Sequence, residues 1–387
     1  SILIYAYKVN EQDKGRKTMR LFKKVLAVSV ASMCAVSLAA CGGGKSAETT
    51  AAVSSESKEE SKTGESVSKA VADTGKDAKD IKIGISIYKF DDNFMTLYRN
   101  ELVRYLTEDC GIPKDNIVVQ DGKNDQAEQT NQINNFIATK VDVMILNLVQ
   151  SSSAPTVTDL AKEAGIPVVY INREPDETEE SRWASDGIKA TYVGADARQS
   201  GTFQGEEIAE LDNKGDINGD GTVKYIMIQG DPENIDAQYR TEYSVKALTE
   251  KSGLKAEELL IQRGDWDQAK GQQIAQDALT QYGKDIEVIF CNNDAMALGA
   301  LQAINAAGRK VGEDIYIVGV DALAEAVQNV SEGKMTGTVF NDFISQAQAA
   351  AKAAISFTND EKVDTKIPVD YVKVTKDNAA DILKLVK

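Results

Sequence analysis

The run Ile87-Tyr88-Lys89-Phe90-Asp91-Asp92-Asn93-Phe94-Met95 puts two carboxylates and two phenylalanine rings into one strand-to-helix turn. That combination suits a sugar. A pyranose presents a ring of hydroxyls, each one donor and two acceptor sites, and an apolar C–H face that packs on an aromatic plane. Carboxylates grip neighbouring hydroxyls while a ring stacks the face. The same residues also fit an ordinary helix start, with Asp-Asp-Asn supplying an N-cap and negative charge at the positive end of the helix dipole. Alone, the turn leaves both readings open.

Three more segments carry chemistry. Within Gly230-Asp231-Pro232-Glu233-Asn234-Ile235-Asp236-Ala237-Gln238-Tyr239-Arg240, Asp236 and Arg240 lie four apart and share one helix face. On a solvated face they form an ordinary i,i+4 ion pair; pointed into a cleft they offer hydroxyls an acceptor and a rigid fork of donors. Gly264-Asp265-Trp266-Asp267 sets one of the chain's two tryptophans among acidic residues, which fits a cleft wall better than a core. Asp216-Ile217-Asn218-Gly219-Asp220-Gly221-Thr222 has the D-x-N-x-D-G spacing of a calcium loop. There the side-chain oxygens of Asp216, Asn218 and Asp220 converge on an ion, Gly221 permits the sharp turn, and Thr222 offers its carbonyl. The place of the bidentate Glu is taken by Met227, so an Asx-rich surface turn is the alternative.

The chain contains no histidine, which excludes His-based triads, His zinc sites and His general bases. Of its four cysteines only Cys110 and Cys291 fall in the globular part, and no disulfide framework is suggested. Cys291 ends the apolar run Val288-Ile289-Phe290-Cys291 and reads as a packed thiol.

The elements that must position these groups alternate between short apolar strands and longer amphipathic stretches. Strands are expected at 81–88, 117–120, 143–148 and 167–171, with helices near 94–109, 125–139 and 155–164. A second series places strands near 191–194, 223–229, 288–292 and 315–320, with helices near 198–211, 236–252, 268–282, 294–307 and 324–332. Such alternation implies α/β architecture with parallel sheets, and 387 residues favour two lobes. Ligands of open α/β sheets bind beyond the strands' carboxyl ends. Asp91-Asp92, Asn147, Asn292-Asn293-Asp294 and Asp321 all sit there.

The N-terminus reads as targeting rather than fold. After Met19, the basic residues Arg20, Lys23 and Lys24 precede a run of apolar and small residues from Val25 to Ala40, the pattern of a secretory signal. Leu38-Ala39-Ala40-Cys41 resembles a bacterial lipobox, which would leave Cys41 lipidated. Residues 42–79 are nearly free of large apolar side chains and read as a tether that cannot offset its own chain entropy. Sixty acidic against 44 basic residues, a net charge of −16, argue against nucleic acid as a partner.

In order along the chain, Tyr88 to Met95, Asn124-Asp125-Gln126, Ile145-Leu146-Asn147-Leu148-Val149, Asn292-Asn293-Asp294-Ala295-Met296-Ala297, Gly319-Val320-Asp321-Ala322-Leu323 and Thr338-Val339-Phe340-Asn341-Asp342 resemble the bacterial galactose/glucose-binding proteins. These are the substrate-binding components of ABC sugar importers, and the resemblance covers nearly all of residues 80–387. It implies the type I periplasmic-binding-protein fold, two doubly wound lobes joined by a hinge that close on one monosaccharide. The lobes are expected at 80–166 plus 343–369 and at 167–342 plus 370–387. Upstream residues and signal peptide would occupy 1–40, and lipidated Cys41 with its tether 41–79.

At matching positions, Phe94 and Trp266 would sandwich the ring, and Asp92, Asn147, Asp236, Arg240, Asn293, Asp321 and Asn341 would bond its hydroxyls and ring oxygen. Asn234 stands where the family has His, so contact with the 6-hydroxymethyl group should differ. Asp91 is expected to be the helix-capping member of the acidic pair. The resemblance also implies calcium in the 216–224 loop, held by Asp216, Asn218, Asp220, Thr222 and a remote Glu287. Lys224 there replaces a Gln oxygen donor of the family and is expected to weaken the ion or to neutralise the carboxylates itself. The implied protein is a monomer without catalytic activity, anchored by lipid outside the bacterial membrane and delivering galactose or glucose to an ABC permease, with a chemoreceptor as a further reader. Another monosaccharide, or a secreted glycoside-processing enzyme using two of Asp92, Asp236 and Asp321 as general acid and base, are the competing readings.

Overall fold

The computed structural model describes residues 75–387. The expected signal, Cys41 and most of the tether lie outside the described residues. The tether ends earlier than position 79: Lys76 pairs with Asp142 at 2.6 Å, and its amide donates to the Asn359 side chain.

From there the chain runs β1 (Ile83–Ile87), α1 (Asn93–Arg104), β2 (Ile117–Asp121), α2 (Gln126–Ala138), β3 (Val143–Leu146), α3 (Ala154–Ala164), β4 (Val168–Ile171), α4 (Glu177–Ser185) and β5 (Ala190–Gly194). It continues through α5 (Ala197–Ala209), β6 (Thr222–Gln229), α6 (Ile235–Ser252), β7 (Lys255–Arg263), α7 (Gln268–Tyr282), β8 (Val288–Cys291), α8 (Asp294–Ala306), β9 (Tyr316–Val318), α9 (Ala324–Ser331) and β10 (Thr338–Phe340). Then follow α10 (Phe343–Thr358), β11 (Lys366–Pro368), β12 (Val372–Val374) and α11 (Ala379–Val386).

β1, β3, β4 and β5 are buried along their whole length, because a parallel strand between two helical layers has no wet face. They form a six-stranded parallel sheet in the order β11-β5-β4-β3-β1-β2. Gly84 in β1 is there for packing: a Cβ would stand 2.6 Å from the Phe136 ring of α2. The second sheet, also parallel, has the order β7-β6-β8-β9, and β10 pairs antiparallel with β12. In both parallel sheets the order reverses next to the first strand laid down, between β1 and β3 and between β6 and β8. The loops diverging there open a crevice at the strands' carboxyl ends.

The sheet order corrects the expected lobe boundary. β4 and β5 pair into the first sheet, so the first lobe runs on to Gly194 instead of stopping at 166, and the strand at 191–194 closes the first series. α10 returns to pack on α1, β3, β4 and β5. The chain therefore crosses between lobes three times: after β5, between β10 and α10, and between β11 and β12. The third crossing is short. Val369 donates its amide to Gly194 of the first lobe at 2.9 Å, while Tyr371 donates its amide to Gln199 of α5 at 2.7 Å. Only Asp370 separates them. Ala195, Val320, Val339 and Tyr371 pack together at these crossings in a small apolar cluster.

Candidate functional site

Three helix N-caps and three cleft residues are the same side chains. Asp92 caps α1 by accepting from the Met95 amide at 2.7 Å, Asn234 caps α6 through the Asp236 amide at 3.0 Å, and Asn293 caps α8 through the Met296 amide at 3.0 Å. A strand that ends in a turn and a cap delivers the capping group to the sheet's carboxyl edge. The cap of α1 is thus Asp92, not Asp91. Asp91 is exposed and pairs with Lys89 at 3.3 Å.

Between the lobes lies a cleft of about 340 Å³ including its mouth, bordered by the predicted residues Asp92, Phe94, Asn234, Asp236, Arg240, Trp266, Asn293 and Asp321. That is the small end of the roughly 300–1,000 Å³ range of small-molecule sites. Tyr88, Met95, Asn172 and Arg173 also border it and were not anticipated. Tyr88 donates its hydroxyl to Asp92 at 2.5 Å, and the Arg173 guanidinium lies 3.7 Å over the Tyr88 ring. Arg173 also donates to the carbonyl of Val149. Tyr88 sits four residues before Asp92, a spacing visible in sequence, and Asn172-Arg173 directly follow β4 just as Asn147 follows β3.

Two predicted residues stand behind the wall. Asn147 is fully buried and ties three strand ends together: it accepts from the Tyr88 amide at 3.3 Å and donates to the Ile171 carbonyl at 3.2 Å and to the Asn172 side chain at 3.1 Å. Asn341 donates to Asp321 at 3.3 Å and accepts from Gln346 at 2.6 Å.

The second-lobe wall is under-satisfied. Arg240 donates to the Asn292 carbonyl at 2.8 Å and to the Tyr371 hydroxyl at 3.0 Å, but its Nε has no partner. Asp236 reaches Arg240 only at 3.9 Å, and its Oδ1 is unpartnered, as is Nε1 of Trp266. Trp266 itself follows Asp265 with both backbones at positive φ, and its ring lies so close over Gly230 that a Cβ there would stand 2.2 Å from it. Asp321 adopts φ 119°, a conformation rare outside glycine and retained where surrounding structure holds it. Burial pushes the Asp236 carboxyl up to about 6 against the opposing pull of Arg240, and burial raises Asp321 well above the usual carboxylate range. Asp294, behind the wall, is pushed up to about 7 by burial, opposed by the Thr338 hydroxyl at 2.6 Å.

The candidate calcium loop is compact. Asp216 accepts amides of Gly219, Asp220 and Gly221, while Asn218 and Asp220 each accept from the residue two on. Glu287 comes in from the start of β8, accepting the Ile217, Asn218 and Lys224 amides. Among the described residues no lysine or arginine forms an ion pair with Asp216, Asp220 or Glu287, so Lys224 does not neutralise them. Nor do three His, Cys, Asp or Glu side chains converge into a metal centre by themselves among the described residues. The donor set fits a hard cation only with Asn218 and backbone oxygen included. Among the described residues no helix is long and apolar enough to cross a membrane.

A family model described as periplasmic binding protein domain matches residues 83–362. The D-galactose/methyl-galactoside binding periplasmic protein of Haemophilus influenzae is 38% identical over 321 residues, covering 79% of this chain and 93% of that protein. The ribose import binding protein of Escherichia coli is 27% identical over 261 residues, covering 67% of this chain and 80% of its own. Among solved structures, an ABC transporter solute binding protein from Bacillus halodurans with bound myo-inositol matches with a TM-score of 0.69 at 29% identity, covering 80% of this chain and 99% of that one.

Proposed function

The chain belongs to the periplasmic binding protein family, and on that premise we propose that it binds D-galactose or D-glucose outside the cell and hands it to an ABC permease. Family membership makes it a solute-binding protein, not an enzyme. One observation carries the choice of a sugar: Asp236 Oδ1, Arg240 Nε and Trp266 Nε1 are buried, unpartnered and brought to one cleft. Each such group costs about 1–3 kcal/mol until something bonds it. A pyranose supplies hydroxyls to all three and an apolar face to Trp266 and Phe94. Tyr88 and the cap of α1 hold Asp92 rigidly, so its remaining lone pairs are aimed before the ligand arrives. Closure then brings the first-lobe pair Asp92 and Phe94 and the second-lobe set Asp236, Arg240, Trp266, Asn293 and Asp321 onto one molecule. The similarity to the galactoside-binding relative favours a hexose over the ligands named for the other relatives.

Lipid attachment at Cys41 and an outward-facing membrane anchor belong to the same proposal, supported by Leu38-Ala39-Ala40-Cys41, and a monomeric state rests on the family resemblance alone. Delivery to a chemoreceptor rests on the family resemblance alone. Calcium is proposed at the loop of Asp216, Asn218, Asp220 and Thr222 with Glu287, where it would neutralise carboxylates that no described side-chain cation pairs. Tryptophan fluorescence tests the sugar assignment, because Trp266 borders the cleft and Trp183 is buried in the first lobe. Saturable change with D-galactose or D-glucose is expected; no change with either, alongside a response to ribose or inositol, would reassign the ligand.

A further inference from the structure

Behind the cleft, a chain of three buried side chains runs from one lobe to the other. Gln346 lies on α10, which packs in the first lobe, and is 1% exposed. Its Nε2 donates to Asn341 Oδ1 at 2.6 Å. Asn341 occupies the second crossing, between β10 and α10, and its Nδ2 donates to Asp321 Oδ1 at 3.3 Å. Asp321 borders the cleft from the second lobe, with its amide bound to the Val339 carbonyl at 2.8 Å.

A primary amide has one acceptor end and one donor end. Asn341 can sit in its slot two ways. In one, its oxygen meets the Gln346 N–H and its NH₂ meets the Asp321 carboxylate. In the other, NH₂ would face NH₂ and carbonyl oxygen would face carboxylate. An ionised Asp321 carboxylate favours the first, and a donor at position 346 selects it whether that carboxyl is ionised or protonated. We propose that Gln346 is a positioning residue that, from the first lobe, sets the amide polarity of Asn341 and so holds the Asp321 carboxylate in place for the ligand. The ligand part of this inference rests on the function proposed above; the amide polarity does not.

Gln346→Glu reverses the donor when the introduced carboxyl is ionised and restores it when that carboxyl is protonated. Burial raises such a carboxyl, so titrations at about pH 5 and about pH 9 bracket it. Relative to wild type at the same pH, hexose affinity of the variant is expected to fall about tenfold or more at the higher pH and to recover at the lower. Equal affinity at both, or equal loss at both, contradicts the proposal. Gln346→Leu, which removes the donor without adding charge, is expected to lose affinity without pH dependence, and wild-type affinity in it overturns the idea. In ligand-free protein labelled with ¹⁵N at asparagine, the side-chain NH₂ signals that vanish in Asn341→Asp should shift with pH in Gln346→Glu beyond any shift that titration of Asp321 itself gives in wild type. Identical behaviour in both proteins refutes the inference even if neither hexose binds.

Discussion

Arg240 donates through Nη2 to the hydroxyl of Tyr371 at 3.0 Å, which ties a guanidinium on the cleft wall to the third crossing between the lobes. Tyr371 packs with Ala195 of the first crossing and Val339 beside the second, so the guanidinium proposed to bind the ligand is fixed where the chain passes between the lobes. Tyr371→Phe keeps the ring and removes the acceptor, leaving a buried charged donor unpaired. Hexose affinity is expected to fall about ten- to a hundredfold. Titration of the purified variant checks this, and unchanged affinity would mean that the Asn292 carbonyl alone orients the guanidinium.

Trp266→Ala removes the flat face and exposes Gly230 beneath it. Losing a central aromatic anchor costs about 2 kcal/mol or more, so binding should weaken at least about thirtyfold. Trp266→Phe should recover much of it. Wild-type affinity in the alanine variant would make the ring a packing residue only.

The Asp236 carboxyl stands at about 6 against an ordinary 3.8, chiefly through burial. A carboxyl raised on folding contributes most to stability below its unfolded value, and that contribution is lost as pH rises through about 6. A ligand hydroxyl donating to the free Oδ1 favours the ionised form, so binding should release protons near that pH and affinity should rise with pH through it. Calorimetry in two buffers of different ionisation enthalpy measures the release. It should vanish in Asp236→Asn; no release in wild type, or the same release in the variant, would be inconsistent with this role.

How much of this was legible beforehand depended on what each residue must satisfy locally. Val143–Leu146 and Val288–Cys291 announce buried parallel strands because such strands have no polar face. β7 was missed since it is a largely exposed edge strand, with Lys255, Glu257, Glu258 and Arg263 breaking the apolar pattern. α4 was missed for a related reason: its nine residues bury only Glu179 and Trp183. The lobe boundary depends on which sheet β4 and β5 join, and pairing is not written in their apolar runs. At the site, sequence position located Asn147 correctly beside a strand end and the family resemblance singled out Asn341, but neither gave the direction of their amides, which neighbouring strands and Gln346 decide.

Calcium should act on stability. At calcium about a hundredfold above its Kd the thermal midpoint is expected to rise by about 3–10 °C, and chelator should reverse this. Lys224→Gln should tighten the ion by supplying a side-chain oxygen where an ammonium stands, and Glu287→Gln should abolish the shift. Melting curves that ignore both calcium and chelator would mark 216–224 as an Asx-rich turn.

The central claim, that the unpaired polar groups beside Trp266 await a hexose, is tested most directly by isothermal titration calorimetry of the wild-type protein with D-galactose, D-glucose, D-ribose, D-xylose, L-arabinose and myo-inositol. Saturable one-to-one heat with galactose or glucose, stronger than with any pentose or inositol, is the predicted result. No heat with either hexose, or tighter binding of a pentose or inositol, would contradict it.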